Sequence, residues 1–284
     1  MDLFCFLLLL FNNGIHFVLS EEIIGWRDDY VEWCKTPKPQ DYEGADFFCL
    51  SYFWNYIDVR VELHCFEPLI IVYRDFLSRP EIDGFVTDIE IKQENGKRHE
   101  LLTDGVKAVA FRPKEITMRH REGNGTAAVF EKIQTIIPAI NFAVSEPWQI
   151  LSYEAGEHYA PRYDFLKSTK DTFTQQFGNR FATFMVVLIK AKALGHTIFP
   201  AYNITVELEE GDAVLWTNMN GEGQKSVASI HGDCAVLSGK KVTASLRIRA
   251  KDQYLIKTSM FAGIYNIVSL ARPRFDIRRR MAGV

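Results

Sequence analysis

Residues 153–165 read YEAGEHYAPRYDF, and the end of this stretch decides how the chain is read. Along a strand, residues i and i+2 point to the same side, so Arg162 and Asp164 share one face. Further on, His231 opens HGDC at 231–234, and Lys241 follows ten residues later. Taken singly, His231 reads as a hydrogen-bonded core histidine and Lys241, beside Lys240, as a solvated lysine. His158 lies about 13 Å from Arg162 at strand rise, and His196 neighbours Thr197 on the opposite face.

The surroundings of this stretch are rich in short β-runs. From Trp148 they read WQILSY, FATFMVVLIKA, HTIFPAY, ITVEL, DAVLWTNM, KSVASIHG and ASLRIRA, with turn signals at Gly211-Asp212 and Asn220-Gly221. Many short strands separated by turns predict a sandwich or barrel. Upstream, Ser78-Arg79-Pro80-Glu81 is a capping box that opens a helix, with Ile82, Phe85, Val86 and Ile89 on its apolar side. The charged stretch from about 92 to 123 predicts strand and loop. Val129, Ile133, Ile136, Ile137 and Ile140 then recur at helical spacing until near Pro147.

With 284 residues, 47% hydrophobic and 24% charged, the chain can bury one sizeable core. A net charge of -3 argues against general nucleic-acid binding. The apolar run from Leu3 to Phe11 makes residues 1–20 a secretory signal, with a buried strand or short membrane anchor as the alternative. That run is too short for a stable membrane span. Losing this segment leaves Cys34, Cys49, Cys65 and Cys234, an even number suited to an oxidising compartment. The sequons Asn124-Gly125-Thr126 and Asn203-Ile204-Thr205 suit a secreted glycoprotein. The arginines at 272, 274, 278, 279 and 280 make a basic, solvated tail.

Tyr153, Asp164, His231 and Lys241 together resemble the catalytic core of prolyl 4-hydroxylases, specifically the collagen-type alpha subunit. Thr197 within HTIFP and the segment Gly178-Asn179-Arg180 join the resemblance. It implies a mainly β, α+β fold with flanking helices around a double-stranded β-helix (jelly-roll) core. It also implies Fe(II), 2-oxoglutarate and L-ascorbate as cofactors. Asp164 and His231 would ligate iron, Tyr153, Thr197 and Lys241 would hold the far carboxylate of 2-oxoglutarate, and Arg180 would lie on the peptide side, its bland alternative being a surface ion pair. Residues 1–20 would be the signal, 21–66 a cysteine-containing lead-in, 67–250 the dioxygenase domain and 251–284 the tail. Cys34 and Cys49 match a disulfide-bonded pair of the family. Cys234 then has Cys65 as its spare partner or stays a free thiol. Val242 and Arg247 stand where the family has tryptophans.

One departure is at the metal. The position of the first iron histidine holds Arg162, which has no lone pair to give. At about 4 Å and an effective dielectric of about 20, a guanidinium repels a divalent ion by roughly 8 kcal/mol. Two readings follow for a chain of the endoplasmic reticulum lumen or secreted space. One is a hydroxylase of peptidyl proline in collagen-like peptides. The other is a non-catalytic paralogue that binds a peptide, protein disulfide isomerase or a hydroxylase subunit. Arg162 and Asp164 are further expected to pair across the old metal position, leaving a metal-independent pocket for a small dicarboxylate that Lys241 holds at its far end.

Overall fold

The computed structural model describes residues 22–23, 26–35, 49–100, 112–167, 170–259, 265–266 and 270. The expected signal segment and the basic arginines of the tail lie outside the described residues.

The strands are β1 (Glu22–Ile23), β2 (Cys49–Trp54), β3 (Ile57–Phe66), β4 (Leu69–Arg74), β5 (Lys114–Met118), β6 (Trp148–Tyr153), β7 (Tyr159–Tyr163) and β8 (Arg180–Ile189). After them come β9 (Ala193–Leu194), β10 (Thr197–Phe199), β11 (Ile204–Val206), β12 (Ala213–Thr217), β13 (His231–Asp233), β14 (Val236–Ser238) and β15 (Lys241–Arg249). The helices are α1 (Asp28–Lys35), α2 (Arg79–Glu100), α3 (Asn124–Ile136), α4 (Thr172–Phe177) and α5 (Tyr254–Ser259).

A large sheet runs β2-β3-β4-β12-β8-β15-β6-β5 and a small one β1-β7-β13-β10-β11, all antiparallel. From β6 onward the chain passes back and forth between them: β6 large, β7 small, β8 large, β10 and β11 small, β12 large, β13 small, β15 large. This winding is the double-stranded β-helix that the resemblance implied.

The sequence of β15 shows how the sheet divides its two faces. All nine residues of KVTASLRIR are buried, yet only every second one is apolar. Val242, Ala244, Leu246 and Ile248 enter the main core beneath α2 and α3, with Phe85, Phe130, Ile133 and Trp148. Lys241, Ser245 and Arg247 border cavities on the other side. A one-residue slip would put Lys241 and Arg247 in the apolar core, so the register is strongly specified.

The two core helices cross closely. A Cβ on Gly125 would lie 2.1 Å from the Gly84 carbonyl carbon, so only glycine lets the backbones meet. At Ser78 the Glu81 half of the expected capping box forms, the Ser78 amide and hydroxyl both donating to Glu81 Oε2 at 2.7 Å.

Two expectations change. Residues 92–100 continue α2 rather than forming strand or loop. Helix α3 ends at Ile136, and Ile137 and Ile140 are buried beyond it. Within the lead-in, Val59, Val61 and Leu63 of β3 belong to the main core, and β3 pairs directly with β4.

The disulfide expectation also changes. Cys34 bonds Cys234, 200 residues away in sequence, while Cys49 and Cys65 are free thiols. The reason is where α1 docks. Tyr30 and Cys34 of α1 pack with Ile198 and Cys234 on the outer side of the small sheet, which takes Cys34 away from the exposed Cys49 on strand β2.

Candidate active site

Between the two sheets lies a small cavity bordered by Gln149, Arg162, Asp164, Thr197, His231, Asp233 and Arg247, among others. Each sheet supplies alternate residues of its strands. His231 and Asp233 both come from β13, Arg162 faces His231 across the β7–β13 ladder, and Thr197 faces Asp233 across β10–β13.

At one end, Asp164 is 1% exposed. Its Oδ2 accepts from the Thr183 hydroxyl at 2.6 Å, and its Oδ1 lies 3.4 Å from Arg247 Nε. Burial pushes this carboxyl up, but the charges of Arg247 and Arg162 prevail and hold it well below the usual carboxylate range. His231 Nδ1 is 2.9 Å from the Ser229 carbonyl oxygen. A carbonyl only accepts, so Nδ1 carries the proton and Nε2 keeps its lone pair. That Nε2 lies 3.7 Å from Asp164 Oδ2 and has no hydrogen-bond partner among the described residues. Burial lowers the imidazole's pKa, against the opposing Asp164 charge, and keeps it neutral.

Arg162 stays inside. It is 5% exposed, and its guanidinium carbon sits 3.6 Å from the centre of the Tyr159 ring, a cation–π arrangement. It does not turn out to solvent. His158, which stood four residues before it, lies just ahead of β7 and packs edge-on against Trp26 at 5.7 Å, away from the cavity.

At the other end, the three side chains expected to hold the far carboxylate of a co-substrate do converge, but on a carboxylate of this chain. Asp233 Oδ1 accepts from Lys241 Nζ at 2.9 Å and from Thr197 Oγ1 at 2.8 Å, and Oδ2 accepts from the Tyr153 hydroxyl at 2.8 Å. All four side chains are at most 5% exposed. Burial pushes the Asp233 carboxyl up, and Lys241, Arg162 and these hydrogen bonds outweigh it, so the group stays ionised. Burial and then the Asp233 charge push the Tyr153 phenol well above its ordinary value, which keeps it a donor. Asp233 stands in HGDC between His231 and Cys234, where the sequence pattern does not mark it as a site residue.

Arg180 reaches the Asp164 backbone carbonyl oxygen with Nη1 at 3.3 Å and forms an ion pair with Glu146. Its Nε and Nη2 donate to the two carboxylate oxygens of Glu146 at 2.7 and 2.9 Å, and Arg249 Nη2 meets Glu146 at 2.6 Å. Arg180 is buried and Glu146 half-buried, and the bidentate pair joins β8 to the segment ahead of β6. Arg247, noted as a lost tryptophan, is the cation beside Asp164. Thr183 and Glu146 were missed as well, because a threonine inside an apolar run and a lone glutamate before a proline carry no pattern.

No family model matches the chain. It is 30% identical over 210 residues to prolyl 4-hydroxylase 1 of Arabidopsis thaliana, an alignment covering 68% of this chain and 73% of that protein. By this relationship the chain belongs to the prolyl 4-hydroxylase family. It is 28% identical over 242 residues to human prolyl 4-hydroxylase subunit alpha-3, covering 77% of this chain but 42% of the subunit, so it spans about two fifths of the animal alpha subunits it matches. Among solved structures, a viral collagen prolyl hydroxylase from Paramecium bursaria Chlorella virus-1, in complex with 2-oxoglutarate, aligns at 21% identity and a TM-score of 0.49, covering 64% of this chain and 96% of that one.

The cofactors that the family implies are not matched by these residues. An oxygenase iron needs two imidazoles and a carboxylate on one face. Here one imidazole and one carboxylate stand together, the carboxylate already engaged by Thr183 and Arg247, and the Arg162 guanidinium borders the same cavity. Among the described residues no three His, Cys, Asp or Glu side chains are grouped to hold an ion. The place for a co-substrate carboxylate on Lys241 is taken by Asp233.

Proposed function

We propose that this chain is a non-catalytic prolyl 4-hydroxylase-like protein that binds a peptide or protein partner in an oxidising compartment. The observation that carries the reading is Arg162, buried in the cavity at the position where the family resemblance calls for an iron histidine. Proline-containing or collagen-like peptide is the partner class suggested by the relatives' names, with protein disulfide isomerase or a hydroxylase subunit as the alternative. The Cys34–Cys234 disulfide supports maturation in the endoplasmic reticulum lumen or outside the cell. No helix among the described residues is long and apolar enough to cross a membrane. Asn203 is exposed, which supports its sequon as a glycosylation site.

A second reading, hydroxylation of peptidyl proline with Fe(II), 2-oxoglutarate and ascorbate, is favoured by one observation: His231 Nε2 still faces Asp164 at 3.7 Å. Aerobic 2-oxoglutarate decarboxylation, with and without added iron and a proline-rich peptide, separates the two. The non-catalytic reading expects no turnover in any condition. Turnover at the rate of a relative with both iron histidines would contradict it. Calorimetry should also show weak iron(II) binding that Arg162→His strengthens at least tenfold.

A further inference from the structure

A lysine and two hydroxyls converging in a half-dry site make a strong carboxylate receptor, because each donates to an ionised acceptor. In this chain the receptor is complete and filled: Lys241, Thr197 and Tyr153 give Asp233 three charge-assisted bonds at 2.8–2.9 Å. The strand geometry builds this occupant in, since Asp233 stands directly opposite Thr197, and Lys241 directly opposite Tyr153. A second small cavity lies behind, bordered by Val187, Gly195, His196, Thr197 and Lys241. Thr197 borders both cavities, Asp233 the inner one and Lys241 the outer one. The Asp233–Lys241 pair therefore stands in the partition between them.

We propose that Tyr153, Thr197 and Lys241 form a carboxylate-binding site that the chain occupies with its own Asp233, and that removing this side chain opens the site to a free small carboxylate. The group deleted in Asp233→Gly has the elements of acetate, so acetate is the natural probe, and 2-oxoglutarate is a larger anion sharing the same end. A filled receptor also explains why the dicarboxylate pocket expected from the sequence lacks its Lys241 anchor.

The inference deepens the non-catalytic reading but is tested apart from it. Iron binding by Arg162→His reports on that reading, whereas acetate binding by Asp233→Gly reports on this one. Thermal unfolding and calorimetry would be run in acetate and in chloride at equal ionic strength, with chelator throughout. Asp233→Gly should show saturable stabilisation by acetate and bind 2-oxoglutarate at least tenfold more tightly than the wild type. Adding Lys241→Met should abolish both effects. If Asp233→Gly does not fold unaided, refolding in acetate but not in chloride supports the proposal equally, and Asp233→Ala provides the same comparison with less backbone freedom. Acetate acting alike on wild type and both variants, or on none of them, overturns it. So does saturable 2-oxoglutarate binding to the wild type that Lys241→Met removes.

Discussion

The two ends of the inner cavity differ in what stands on the positions that the family resemblance assigns to iron and 2-oxoglutarate. The Asp164 end holds a cation, Arg162, where the resemblance implies an imidazole. The Lys241 end holds an anion, Asp233, on the donors that the resemblance implies for a co-substrate carboxylate. Each replacement has the charge sign of what it excludes: guanidinium for a metal cation, carboxylate for a dicarboxylate's far end. The cavity thus carries a cation and an anion of its own where the resemblance implies a bound cation and a bound anion, and the anion is fully paired.

The comparison predicts unequal costs when each end is broken. At the Lys241 end one cation and one anion are matched, so Lys241→Met strands a buried carboxylate on two hydroxyls. It should cost about 3–5 kcal/mol, and Lys241→Met combined with Asp233→Leu should recover most of that. Denaturant unfolding of the singles and the double measures it. If the double is no more stable than Lys241→Met alone, the pair is not the unit described here.

Next comes the Cys34–Cys234 bond, which ties α1 to the residue immediately after Asp233. Replacing Cys234 by Ser should cost about 2–5 kcal/mol, and non-reducing peptide mapping of the wild type should recover this pair. A Cys34–Cys49 peptide would restore the pairing that the family resemblance implied. At the other end of the cavity the effects should be smaller. Thr183→Val removes the 2.6 Å bond to Asp164 and should cost about 1.5–3 kcal/mol, the range for a hydrogen bond to a charged group. Arg162→Met should cost least, about 1 kcal/mol, because Asp164 keeps Arg247 and Thr183. A loss for Arg162→Met as large as that for Lys241→Met would erase the asymmetry.

The strands from Trp148 to Ala250 were legible because β-branched runs, glycine turns and a period of two all agree there. The hairpin β2–β3 and the strand LIIVYR at 69–74 were not, although Val59, Val61 and Leu63 carry the same alternation. The cysteine content of that region drew it towards a lead-in instead. The disulfide was illegible for a physical reason: pairing depends on which surface α1 docks against, and spacing along the chain does not encode docking. The convergence of Tyr153, Thr197 and Lys241 could be read from the family pattern, but their occupant could not. Asp233 sits two residues from His231 in HGDC, and only the β10–β13 register shows that it faces Thr197. Arg180 was placed on the peptide side by its motif. Glu146, 34 residues earlier, claims it through a contact that no local pattern announces.

The central claim is that Arg162 excludes iron and Asp233 excludes a small carboxylate independently, so binding both together requires both side chains to be changed. The direct measurement is anaerobic calorimetry of 2-oxoglutarate, with and without iron(II), against the wild type, Arg162→His, Asp233→Gly and the double variant. The account predicts no binding to the wild type or Arg162→His, iron-independent binding to Asp233→Gly, and binding at least tenfold tighter with iron only in the double. Iron-dependent 2-oxoglutarate binding by the wild-type chain would contradict it.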